Sequence, residues 1–339
     1  DLSFVYKCAK EILKYSKRKK IIITKSTVPV GTGDEIEKIL KKKKKLFTVI
    51  SNPEFLREGE AIRDFRYPDR IVIGSNEKKA FNIMRKLYVP LTNKGSKFFT
   101  TSRRGAELIK YASNAFLATK ITFINELANL CEKSGVNIED ISLGMGSDNR
   151  IGGRFLRAGP AYGGSCFPKD TKGLVSAADK YKVNLPVIKT VIKSNKDRAK
   201  LLTQRIHKIL GSNIKNKKIS FLGVTFKPNT DDMRDSSSLI MIPYLIKKGA
   251  KVRYYDPSGE KNEFKNLKNC YYEKNIKSNC DSADLVILLT EWDEFKSLDF
   301  KKIVKKNKFK VYDLRNLYSA VEMKKNKIKY YSIGRPNTN

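Results

Sequence analysis

Two rhythms of apolar and polar positions run along this chain. Over 4–18 the apolar side chains fall at 4, 5, 8, 9, 12 and 13, the spacing that makes one face of a helix apolar. Ile21-Ile22-Ile23 is a short β-branched run, a loop follows from Ser26 to Gly33, and 34–43 returns to the helical spacing. Short apolar runs at 47–50, 70–73 and 97–101 read as strands, with a helix expected over 77–87. Such alternation of short buried strands with helices predicts a parallel, doubly wound sheet. From Arg104 to about Ser134 the rhythm becomes one long helical stretch, and further helices follow around a glycine-rich interruption at 152–164. Near Lys217 the alternation resumes, with strands expected at 218–223, 251–255, 285–289 and 310–312 and a helix at 236–248. The expected fold class is α/β: two doubly wound domains joined by a long-helix central domain, divided as 1–101, 102–210 and 211–339.

Composition narrows the function classes. No run approaches the ~20 apolar residues of a membrane span, and 1–14 reads as an amphipathic helix rather than a signal peptide. Five scattered cysteines (Cys8, Cys131, Cys166, Cys270, Cys280) with no Cys-x-x-Cys spacing argue against a disulfide scaffold or zinc knuckle and suit a reducing cytoplasm. The single histidine, His207, lies in a helical pattern and is expected at a helix surface, which removes histidine triads and His-rich metal sites. Lys and Arg number 70 against 35 Asp and Glu, a net charge of +35. That excess is either the footprint of a polyanion such as nucleic acid or a lysine bias spread over solvated faces. Its spread along the chain, including Lys41 to Lys45, favours the second, and no nucleic-acid-binding motif accompanies it.

Acid, base and nucleophile must therefore come from other residues. Tyr162-Gly163-Gly164-Ser165-Cys166-Phe167-Pro168-Lys169-Asp170 is the strongest local signal. Its glycines permit a tight turn and close approach to a ligand, and Pro168 suits the first turn of a helix. Cys166 would then stand at a helix N-terminus with Lys169 nearby, both of which favour a nucleophilic thiolate; the alternative is a buried structural cysteine. Lys110 and Asn114 are four apart on one helix and could jointly steady an oxyanion, or merely belong to a solvated face. Ser51 to Gly59, with Glu54 and Glu58, is a loop following a strand end, where α/β ligand sites concentrate, or else a capping turn. Asp256 ends a strand where an acid can bind ribose hydroxyls, or is a turn residue before Pro257.

Lys25-Ser-Thr-Val-Pro-Val-Gly-Thr32, Ser51 to Gly59, Glu107 to Asn114, Gly163 to Asp170 and Phe226-Lys-Pro-Asn-Thr-Asp-Asp-Met-Arg234 occur in that order. Together they resemble the UDP-glucose/GDP-mannose dehydrogenase family over essentially the whole chain. Arg150-Ile-Gly, Phe155-Leu156 and the segment around Cys166 are most similar to the branch that oxidises UDP-glucose. The resemblance implies Rossmann-like outer domains, NAD as cofactor and two successive hydride losses from C6 of the sugar, with Cys166 as covalent nucleophile. It implies that Lys110 and Asn114 stabilise oxyanions, that Asp170 orients or activates water, and that Glu54 and Thr27 complete the acid-base network. For substrate it implies Phe155, Leu156, Arg157 and Lys227 at the pyrophosphate and Arg315 at the sugar. Tyr162 and Gly163 would line the same site, and Arg150 would reach the neighbouring subunit's substrate. For cofactor it implies Thr27, Glu58, Lys169 and Arg234. Pairing through the 104–134 helix as a homodimer follows from the same resemblance.

The departures are specific. Ala161 stands where many relatives have glycine, and no Gly-x-Gly-x-x-Gly phosphate fingerprint occurs. Roughly 60–90 residues, two or three strand–helix units at the front of the NAD-binding domain, are expected to be absent, as from a fragment of a longer protein. Alternatives left open are a dehydrogenase of GDP-mannose or UDP-N-acetylmannosamine, and an inactive fragment or polyanion-binding protein.

Overall fold

The computed structural model describes residues 1–41, 46–211 and 213–336. It forms two compact units, one of 1–115 and 170–184, the other of 116–169 and 185–339. In the first unit, α1 (Ser3–Tyr15) and α2 (Thr32–Leu40) pack beside β1 (Lys20–Thr24) and β2 (Phe47–Ser51), burying Ala9, Ile36, Leu40 and Val49 together. The end of the helix expected over 34–43, and Lys42 to Lys45 of the basic run, lie outside the described residues. After the short α3 (Ala61–Arg66) come β3 (Arg70–Gly74), α4 (Lys78–Thr92) and β4 (Lys97–Thr101). Helix α4 continues past the expected stop at 87 although it contains Pro90. Proline at 90 cannot donate the N–H that would bond the Lys86 carbonyl, and its ring crowds that carbonyl, so the interruption falls in the helix's last turn. The strand order is β1-β2-β3-β4, with β1∥β2 and β3∥β4. The expected parallelism fails at one seam, where β2 and β3 meet antiparallel through Ser51 and Gly74.

Helix α5 (Arg103–Ser134) begins in the first unit and continues into the second. There it is followed by α6 (Ile138–Gly146), the irregular glycine-rich segment, the start of α7 (Phe167–Lys180) and α8 (Pro186–Leu210). The remaining strands are β5 (Lys218–Leu222), β6 (Lys251–Tyr255), β7 (Cys270–Tyr272), β8 (Leu285–Leu288), β9 (Lys310–Asp313) and β10 (Lys329–Ser332). They align in the order β10-β9-β8-β5-β6-β7, and every neighbouring pair is parallel. The chain starts at the centre with β5, winds out to β7, then returns to wind out through β10. Its reversal of direction lies between β5 and β8, the position where doubly wound sheets bind ligands. Buried Ile219, Phe221, Leu285 and Ile287 on those two strands form the centre of the main core with α9 (Ser238–Lys247).

Gly223, at the carboxyl end of β5, has φ of 76°, and a Cβ there would meet Thr290 at 2.5 Å. Gly259 has φ of 92° but open space around it. Gly223→Ala is expected to cost about 2–4 kcal/mol, combining strain with overpacking, against about 1 kcal/mol for Gly259→Ala. Urea unfolding of both variants reads the difference; equal costs would refute the clash.

Candidate active site

In the first unit the opening turns of α5 are polar but dry. Glu107, Lys110 and Asn114 are all buried, so they do not form a solvated face. The Glu107 carboxylate accepts from the backbone N–H of Gly31 (2.7 Å) and Gly33 (2.9 Å) and from the Ser51 hydroxyl (2.9 Å). It thereby occupies the amino end of α2 as an anion would. Gly33 is required by this fit, since a Cβ there would lie 2.9 Å from the Glu107 carboxylate. Burial pushes the Glu107 pKa up, and the two glycine N–H groups and Ser51 offset only part of that shift. This carboxylate had been legible only as one letter of a motif.

Lys110 Nζ stands 3.6 Å from the Glu54 carboxylate and over the Phe55 ring, 5.2 Å from its centroid. The other face of the loop is tied by Asn52, whose Oδ1 accepts from the Tyr88 hydroxyl at 2.6 Å and from Lys25 at 3.1 Å. One helical turn past Lys110, Asn114 Nδ2 donates to Asp170 Oδ2 at 2.5 Å, both side chains buried. Asp170 lies in the first turn of α7. The approach of α7 to α5 needs Gly173, because a Cβ there would meet the Tyr111 ring at 2.7 Å. Burial, and secondarily the neighbouring Asp170, pushes the Tyr111 phenol up to about 12. Four predicted residues, Glu54, Lys110, Asn114 and Asp170, thus form two adjoining polar pairs. Thr27 is half-buried in the loop after β1, and Glu58 half-buried in the loop before α3.

In the second unit the chain around Cys166 is shaped by what glycine allows. Gly164 has φ of 80°, and a Cβ on it would lie 2.5 Å from the Phe226 ring. A Cβ on Gly163 would lie 2.6 Å from the Asp235 carbonyl oxygen. The Gly164 N–H donates to the Arg234 carbonyl at 2.7 Å. Cys166 is half-exposed directly before α7, with the Ser165 hydroxyl 3.5 Å from its sulfur. Buried Tyr162 packs edge-on against Phe167, and Phe155, held at φ of 65°, packs edge-on on the same ring. Leu156 is buried, and exposed Arg157 donates to the Arg315 carbonyl at 3.1 Å.

Arg315 reaches across the ends of three strands, donating to the carbonyls of Leu289 (2.8 Å) and Phe226 (2.9 Å) and pairing with Glu291 at 2.7 Å. Burial pulls its pKa down. Lys227 is half-buried beside Phe226, and the Arg234 guanidinium forks onto its own Asp232. Arg150 and Lys169 are exposed, Arg150 forked onto Asp148. Asp256 is buried and caps the turn that follows β6. Its carboxylate accepts from Val224 N (2.8 Å), Ser258 N (3.0 Å) and the Ser258 hydroxyl, and faces Lys261. His207 is half-buried and edge-on to Tyr244. Among the described residues no cluster of His, Cys, Asp or Glu could hold a metal ion, and no helix is long and apolar enough to cross a membrane.

Sequence reasoning missed the residues behind the Cys166 segment, above all Arg198, which α8 buries beneath Gly159. Burial draws Arg198 down to about 10. An arginine at an inward-facing position of a helix was the available signal.

Residues 1–92, 104–197 and 220–320 match, in turn, the NAD binding, central and UDP binding domains of the UDP-glucose/GDP-mannose dehydrogenase family. A UDP-glucose 6-dehydrogenase of Rhizobium meliloti is 46% identical over 342 residues, covering 99% of this chain and 78% of its own length. One from Rickettsia felis is also 46% identical, covering 98% and 75%. The structure of a UDP-glucose dehydrogenase from Pyrobaculum islandicum superposes with a TM-score of 0.87 at 32% identity, covering 98% of this chain and 75% of that one.

Removing the Glu107 carboxylate strands one buried and one part-buried N–H donor. Glu107→Ala is expected to lower stability by about 2–4 kcal/mol, with Glu107→Gln intermediate because one acceptor survives. Denaturant unfolding tests the order, and an alanine variant as stable as the parent would contradict it.

Proposed function

The chain belongs to the UDP-glucose/GDP-mannose dehydrogenase family, and from that premise we propose that it oxidises UDP-glucose to UDP-glucuronate through a covalent intermediate on Cys166. The observation that carries this reading is the buried Asn114–Asp170 hydrogen bond beside the Lys110–Glu54 pair. It joins an amide suited to an oxyanion with a carboxylate suited to water, one turn of helix beyond the cysteine. The division 1–101, 102–210 and 211–339 is proposed to assign cofactor, chemistry with dimerisation, and UDP-sugar to successive parts.

Bound NAD supplies the hydride acceptor for both oxidations, two molecules per acid formed. Lys25 and Thr27, which follow β1, supply ammonium and hydroxyl groups that would suit it, Lys25 being held to Asn52 at 3.1 Å. The Gly31–Gly33 turn is not a pyrophosphate site, since Glu107 already fills it.

In the proposed sequence the C6 alcohol of the sugar gives up a proton and a hydride and becomes an aldehyde. The Cys166 thiol adds across that carbonyl, the sulfur bonding to carbon and the proton passing to oxygen. Loss of a second hydride and the hydroxyl proton leaves a thioester. Water, oriented by Asp170, attacks it; the C–S bond breaks, the thiol is restored and the acid departs. Lys110 and Asn114 would hold the negative oxygen at the addition and hydrolysis steps, and Glu54 with Thr27 would relay protons. Phe155, Leu156, Arg157 and Lys227 would meet the pyrophosphate; Arg315, Tyr162 and Gly163 would shape the sugar site. Glu58, Lys169 and Arg234 would face the cofactor.

A homodimer is proposed through α5. Phe116, Phe123 and Leu130 recur at seven-residue spacing along it and are 65%, 45% and 61% exposed. Exposed Arg150 would then reach the partner's substrate. A reducing cytoplasm is the proposed setting, supported by five free cysteines.

Calorimetric titration of the folded chain should give binding of UDP-glucose and not of GDP-mannose; binding of neither, or of GDP-mannose alone, sinks the substrate assignment. With NAD, Cys166→Ser should form UDP-glucuronate slower by a factor on the order of 10³ or more while binding UDP-glucose like the parent. Turnover at the parent rate would rule out the covalent route. Phe123→Asp should turn a dimer into a monomer by light scattering, whereas an unchanged mass would place the contact elsewhere.

A further inference from the structure

We propose that Asn125, Asn195 and Arg198 are positioning residues that hold the backbone of 159–164 in the one conformation that presents Cys166 to the sugar. None of the three lies in the motifs of the site, and they come from two helices, Asn125 from α5 and the others from α8. The proposal rests on the function given above.

Asn125 Oδ1 accepts from Gly159 N at 2.9 Å, and its Nδ2 donates to the Pro160 carbonyl at 3.4 Å. Arg198 Nε donates to the Gly159 carbonyl at 2.7 Å. Its Nη1 donates to the Asn125 carbonyl (3.0 Å) and to Asn129 Oδ1 (3.2 Å), locking α8 to α5 behind the loop. Asn195 takes Tyr162 from both sides, accepting from its N–H at 2.8 Å and donating to its carbonyl at 2.9 Å. Apart from the Arg198–Asn129 bond, every one of these contacts goes to main chain of the segment or of its supporting helix. They therefore specify a path of the backbone, whatever side chains it bears.

The chemistry explains why so much polarity is buried here. A segment with glycine at 159, 163 and 164 has many accessible conformations, and one ordered path must be selected against them. Amides and a guanidinium fixed on long helices select it through directional bonds that apolar packing cannot supply. Tyr162, held at both backbone groups, then seats its ring on Phe167, the residue after the nucleophile. Displacement of Tyr162 would be passed to Cys166 through that ring and three intervening residues.

The test is the alkylation rate of each cysteine by iodoacetamide, read by peptide mass spectrometry on the whole chain. Asn195→Ala and Arg198→Met should change the Cys166 rate at least tenfold and abolish its protection by UDP-glucose. Buried Cys131 and Cys280 should react as slowly as in the parent, and Arg198→Lys should fall between parent and Arg198→Met. A Cys166 rate within twofold of the parent in both variants overturns the proposal. So does a parallel rise at Cys131 and Cys280, which would mark general loosening. Because these rates are measured with and without UDP-glucose, the two ideas fail separately. A parent that never binds UDP-glucose sinks the function, while a parent that binds it beside variants of unchanged Cys166 rate sinks the positioning.

Discussion

The second unit depends on one close approach of backbone to neighbour. Because Gly163 and Gly164 lack a Cβ, their chain lies flush against Asp235 and Phe226, with no room for a methyl group at either position. That contact aligns the Gly164 N–H with the Arg234 carbonyl and sets the direction in which the chain leaves for α7. The location of Cys166 is thus a consequence of a steric constraint two residues upstream.

The first unit meets a different demand, the burial of charge. Isolated carboxylates and ammonium groups are costly away from water unless directional partners replace it. Each buried ionisable group on the opening of α5 has such a partner: two glycine amides and a serine for Glu107, Glu54 and an aromatic face for Lys110. Asn114 does the same for Asp170. Arg103 is likewise buried and shared between Asp34 and Glu37. The polar groups lend one another stability while remaining chemically distinct.

Most of the architecture was legible because strand and helix periods are local properties. The runs at 218–223, 251–255 and 285–289 are β5, β6 and β8 within a residue or two, and the long stretch from Arg104 is α5. The edge strands β7 and β10 were not visible: they span only three and four residues, too few for an alternation or an apolar run to stand out. The antiparallel seam at Ser51 and Gly74 was equally hidden, since pairing direction is decided by where the chain returns. Motif residues such as Lys110 and Asn114 could be picked out by spacing, but spacing could not distinguish a dry face from a wet one. Asn125 escaped because its side-chain partners are main-chain atoms, which carry no sequence signature.

Arg315 ties the loops that follow β5 and β8 to the end of β9 through two carbonyls, with the Glu291 carboxylate paired beside them. The mouth of the doubly wound sheet is therefore stitched shut to insertion. Lengthening either loop would break the stitch, while exchanging side chains around it would not. The rim is therefore expected to accept side-chain replacements more readily than changes in the length of either loop.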